Sequence, residues 1–154
     1  MSSEPEQFTN PEYGPYVLAA LLCERVLQEK DGVLSAIRII DRVTRNYFSP
    51  KPPSKMEPFI QGVTILFVIK PGQFPGGHQL TVQPFKPTNE PLPLIRRTLN
   101  LEPPEDRGAN FVVNAQLEID TPGIWRFEVR LDDRLVAKIP LNIVYLPQSS
   151  SHAL

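Results

Sequence analysis

The chain holds 154 residues with 16 basic and 17 acidic side chains, a formal charge of −1. That length gives one domain able to bury a core without disulfide or metal staples, and the balanced charge leaves no overall field to recruit nucleic acid or a membrane surface. Its 18 prolines, roughly twice the usual share of about 5%, disfavour a helical bundle, and the single cysteine, Cys23, excludes an internal disulfide.

In chain order, Met1 to Pro15 is polar, acidic and proline-containing. Such a segment cannot bury enough apolar surface to offset its ordering entropy, so residues 1–15 are expected to be a disordered tail. The opening MSSEPEQ lacks a basic segment followed by an apolar one, and no apolar run approaches the ~18 residues of a membrane span, so a cytoplasmic location is expected. From Val17 to Tyr47, two apolar halves flank Glu29-Lys30-Asp31-Gly32. Ala19 to Gln28 has good helix propensity, which keeps a helix open there, but propensity is a weak prior. Asp31-Gly32 between apolar runs signals a type I′ hairpin, whose central positions both need positive φ. Val33, Ile37, Ile39, Ile40 and Val43 are β-branched, so the stretch is read as two antiparallel strands.

A proline-rich connection, Ser49 to Pro58, leads to Val63–Ile69, a continuous apolar run of strand length that reads as a central strand buried on both faces. Pro71-Gly72 ends it, Gly76-Gly77 turns, and His78–Phe85 follows with Leu80 and Val82 on one side and Thr81 and Gln83 on the other. Lys86 to Gly108 is longer than the ~12 to 15 residues of an ordinary loop, so it either hides an edge strand around Leu92–Leu99 or is a functional loop. Phe111 to Ile119 alternates apolar and polar positions, as do Trp125–Leu131 and Leu135–Ile143 after the turns Thr121-Pro122-Gly123 and Asp132-Asp133-Arg134. Pro140 places the last strand partly at an edge or in a bulge, because it donates no ladder hydrogen bond. Pro147–Leu154 is serine-rich and expected as a second tail, leaving residues 16–146 as the folded domain. About seven short strands punctuated by proline and glycine make an antiparallel β-sandwich.

Chemistry-bearing patterns are sparse. With His78 and His152 as the two histidines and Cys23 as the one cysteine, no spacing suits a metal, and no cofactor motif occurs. Cys23 as a nucleophile requires a base, for which His78 is the candidate; the competing reading is a buried cysteine and a loop-edge histidine. Asp132-Asp133 and Glu105-Asp106 serve calcium only if they share one end of the sandwich, and otherwise solvate turns. Pro75-Gly76-Gly77-His78 lacks the Gly-Lys-Ser/Thr ending of a phosphate loop. Arg38, Arg42, Arg45, Lys51 and Lys55, interleaved with Tyr47 and Phe48, have the composition of a nucleic-acid groove, yet on a strand Arg38 and Arg42 share a face that Arg45 does not. A solvated strand face is the favoured reading.

Several of these positions together, Cys23-Glu24, Gly32, Ile39-Ile40-Asp41, Gly123, Leu131-Asp132 and Pro140-Leu141, resemble a group of small bacterial proteins known as a domain of unknown function. The resemblance spans Val17 to Leu146. It implies an immunoglobulin-like or related β-sandwich, assigns no reaction and carries no functional residue. The chain departs from that pattern at Arg38, where glycine is common.

The reading is therefore an all-β, immunoglobulin-like sandwich acting as a non-catalytic protein-binding or scaffolding module. Leu92, Leu94, Ile95, Arg96 and Arg97 are its expected contact residues, since prolines around them limit the entropy lost on ordering against a partner protein. The alternatives are a carbohydrate- or nucleic-acid-binding domain using Trp125, Tyr47 and the arginines, and an enzyme with an unrecognised site.

Overall fold

The alternation of apolar and polar side chains resolves into nine strands in the computed structural model, which describes residues 14–51 and 53–149. They are β1 (Tyr16–Gln28), β2 (Leu34–Ile39), β3 (Arg42–Ser49), β4 (Phe59–Lys70), β5 (Gly76–Phe85), β6 (Ile95–Leu101), β7 (Ala109–Ile119), β8 (Gly123–Leu131) and β9 (Arg134–Ser149). One sheet runs in the order β2-β1-β4-β7 and the other in the order β3-β9-β8-β5-β6. Their inner faces share one core in which Leu22, Ile65 and Phe67 of the first sheet meet Leu80, Trp125, Phe127 and Leu141 of the second. Among the described residues no helix forms, so the helical reading of Ala19–Gln28 gives way to β1. The apolar surface available to a strand between β2 and β4 outweighs local propensity.

Two expectations are corrected. The sandwich has nine strands rather than about seven, and its five-stranded sheet is mixed, because β3 runs parallel to β9 from Arg42↔Asn142 to Ser49↔Ser149. The cause lies at Ile40 and Asp41. The Ile40 N–H still donates to the Leu22 carbonyl of the first sheet at 2.9 Å, whereas the Asp41 carbonyl already accepts from the Asn142 N–H of the second, also at 2.9 Å. What reads as one strand from Val33 to Tyr47 is thus two, and the covalent step between them stitches one seam of the sandwich. Arg38 and Arg42 consequently lie in different sheets and share no face.

The turns also exchange types. At Glu29–Val33 the Gly32 N–H reaches the Glu29 carbonyl at 2.9 Å and the Glu29 N–H the Val33 carbonyl at 2.8 Å. Gly32 has φ +86° and Asp31 is not left-handed, the pattern of a type I turn with a following glycine bulge rather than type I′. The type I′ pattern instead joins β8 to β9, where Asp132 and Asp133 have φ +48° and +66°. Pro140 sits where expected: β3 covers β9 only from Asn142 onward, so the missing N–H faces a locally open edge. Gly14 and Pro15 are buried and β9 extends to Ser149, past the expected boundary at Leu146; the remainder of the two expected tails, residues 1–13 and 150–154, lies outside the described residues.

Candidate functional site

The second seam of the sandwich is open. It lies between β6 and β7, the terminal strands of their sheets, and its wall is built by the segment that the sequence marks as unusually long. After β5 the chain turns at Lys86–Glu90, with the Asn89 N–H on the Lys86 carbonyl at 2.9 Å and the Lys86 N–H on the Glu90 carbonyl at 2.9 Å. Asn89 takes φ +69°, a backbone region that asparagine tolerates better than most residues. The chain then doubles back, the Leu92 N–H donating to the Pro84 carbonyl at 3.0 Å and the Gln83 side-chain amide to the Leu92 carbonyl at 2.6 Å. Lys86 Nζ fixes the turn to the far end of β7 through Asp120 at 2.8 Å, and that contact, chiefly the hydrogen bond itself, holds the Asp120 carboxyl below its ordinary value. The segment is a hydrogen-bonded hairpin followed by the edge strand β6, not an open loop.

Opposite it stands β7. Pro84, Leu92, Pro93 and Ile95 on one side and Asn114 to Glu118 on the other enclose a groove of about 430 Å³, mostly apolar in its lining. That is within the range of small-ligand sites, and its walls are set before any ligand arrives. Of the expected contact residues, Leu92 and Ile95 line this groove; Leu94, Arg96 and Arg97 do not, although all three are exposed. Arg96 stands opposite Thr81 on the outer face, whereas Arg97 shares the inward parity of Ile95, Leu99 and Leu101. Sequence reasoning missed the β7 wall. The alternation from Phe111 to Ile119 marks a strand but carries no sign that the strand is an edge.

The remaining candidates lie elsewhere. Cys23 is fully buried against Ile39 and Thr64, and burial pushes its thiol up, partly opposed by the Arg25 backbone N–H. His78 belongs to the other sheet, where its Nδ1 meets Asp132 and its Nε2 faces the Phe74 carbonyl at 2.6 Å. Neither ring nitrogen is free to serve Cys23. Asp132 is a structural hub: Oδ1 accepts from the Gln79 N–H at 2.9 Å, and although burial works against ionisation, that bond and His78 hold its carboxyl below the usual value. Glu105 and Asp106 line a shallow depression with Tyr16 and Gly72, and among the described residues no three His, Cys, Asp or Glu side chains gather as a metal site. Trp125 is core, its indole N–H donating to the Thr121 carbonyl at 2.9 Å, and so offers no stacking surface. Arg38 pairs with Glu24 at 3.0 Å and Arg45 lies over the Phe59 ring at 4.9 Å, so the basic cluster of the sequence is dispersed.

Two sheets stitched at one seam and open at the other over an apolar groove define an all-β sandwich domain with a preformed edge cleft. The chain belongs to the family of unknown function DUF6941, whose sequence model matches residues 18–144, in agreement with the resemblance read from its motifs. Among solved structures it is similar to an immunoglobulin-like protein of Pseudomonas aeruginosa, 12% identical, with 84% of this chain and 95% of that chain covered at a TM-score of 0.38. Comparison with curated proteins gives no match. Among the described residues no helix is long and apolar enough to cross a membrane.

Proposed function

We propose that the protein is a non-catalytic binding module of immunoglobulin-like type, working in a bacterial cytoplasm, that holds apolar side chains of a partner protein in the cleft between β6 and β7. The observation that carries this reading is the apolar groove of about 430 Å³ at the open seam, with Leu92 and Ile95 in its wall. The non-catalytic part is supported by the engagement of both His78 ring nitrogens and by the complete burial of Cys23, which keep that cysteine from pairing with that base. A reducing compartment suits a chain whose one cysteine is a buried free thiol.

A photo-crosslinking amino acid at Ala115, inside the cleft, tests the proposal against the same group at Lys30, on the exposed tip of the first hairpin. A discrete adduct from Ala115 alone is expected in cells. Identical adducts from both positions, or none from Ala115, would remove the cleft as the binding site.

A further inference from the structure

The groove accounts for the partner's side chains, but not for the backbone of β7. That strand is 11 residues long and pairs with β4 along its whole length, while among the described residues no strand lies on its other side. An edge of that length carries a row of N–H and C=O groups ready to pair with another chain, and proteins usually blunt such edges with lysine, proline or a bulge. The sequence ANFVVNAQLEI contains neither lysine nor proline, and its pairing with β4 has no register shift. One exposed cation stands on β6 just outside the groove. Arg97 follows Ile95 along the inward side of β6, its guanidinium donates to the Arg96 carbonyl at 2.8 Å, and among the described residues it has no ion-pair partner.

We propose that β7 is the docking edge for an extended segment of a partner protein, which adds to the four-stranded sheet as a fifth strand, sends alternate apolar side chains into the groove and sets a carboxylate against Arg97. The proposal rests on the cleft being the binding site and names the partner's chemistry. Main-chain pairing supplies affinity in such complexes, and the pockets for every second side chain supply selection. Arg97 sharpens that selection. A wholly apolar strand laid under it covers an unpaired cation, which is costly, whereas a strand with one acidic residue at the matching position satisfies it. A second copy of this chain does not fit the same description. Its own β7 would present Val113, Ala115 and Leu117 on the inward side, and its acid, Glu118, lies on the opposite parity.

The probe is a blocked octapeptide in which valine alternates with threonine and one valine is replaced by glutamate. It is compared with the same peptide carrying lysine for glutamate, and with a version N-methylated at alternate residues. Binding and amide exchange are followed by NMR on the full chain. The glutamate peptide is expected to bind, to slow exchange of alternate amides between Asn110 and Glu118 about tenfold or more, and to lose binding on N-methylation. Arg97→Glu, an exposed change that leaves the core untouched, should transfer the preference to the lysine peptide. Equal binding of the N-methylated peptide overturns strand addition while leaving a side-chain cleft. So does failure of the glutamate peptide when the Ala115 crosslink is positive, or a concentration-dependent dimer that protects β7 by itself. A negative Ala115 crosslink sinks the cleft reading separately.

Discussion

At single positions the backbone decides more than the side chains do. A Cβ on Gly108 would stand 2.2 Å from the Ile69 carbonyl oxygen, so β7 can enter the sheet beside β4 only with glycine there. Gly77 has no atom within 4 Å of the same position and no left-handed φ. Gly108→Ala should therefore cost roughly 2 kcal/mol or more in urea unfolding, while Gly77→Ala stays within about 0.5. Arg38 presents the opposite case. It holds φ +54°, a conformation that costs a non-glycine residue about 1 kcal/mol, and its pair with Glu24 is too exposed to offset that. Arg38→Gly is expected to raise the unfolding midpoint, and a fall would show that the ion pair matters more than the backbone. That Arg38 departs from the glycine the resemblance implies was visible in the sequence; what the position asks of the backbone was not, because φ is invisible to a pattern of apolar and polar residues.

Elements were legible where one face is buried. Strands β5, β7 and β8 appear in the sequence with the correct parity, since alternation records burial directly, whereas β4 appears as a continuous apolar run that carries no parity. What alternation does not record is the neighbour of each strand, which is why the sheet change at Ile40 and the open edge of β7 stayed hidden. Of the two readings of the 86–108 segment, β6 takes that of an edge strand, at Ile95–Leu101 rather than around Leu92–Leu99. Leu99 and Leu101 are 3% and 1% exposed, so the segment contributes to the core and its replacement by a flexible linker would open the sandwich. Leu101→Ala should cost about 2–5 kcal/mol, and Leu94→Ala, exposed at the mouth of the hairpin, about 0.5 or less; thermal unfolding distinguishes them. The ties between elements also set the response to acid. Asp120 and Asp132 have lowered carboxyl values in the folded chain, so they stabilise it above the unfolded value of about 3.9 and lose that contribution as pH falls through their folded values. Asp120→Asn and Asp132→Asn should each flatten the loss of melting temperature between neutral pH and about pH 3; an unchanged slope would mean these links do not hold the hairpins.

At the scale of the whole molecule, partners far apart in sequence must meet before either sheet exists. Arg42 pairs with Asn142, and Phe59 with Ile119. Domains dominated by such contacts fold in roughly milliseconds to seconds, and the single buried Trp125 gives the signal by which stopped-flow fluorescence will follow it. Microsecond folding would contradict the topology. The burial of Cys23 has a practical corollary. Cys23 stands in β1 between Ile39 of the edge strand β2 and Thr64 of β4, at 0% exposure, so a thiol reagent reaches it when the chain opens locally around it. The chain thus carries its own clock: the pace at which the native thiol is alkylated reports how often the sheet opens around the middle of β1.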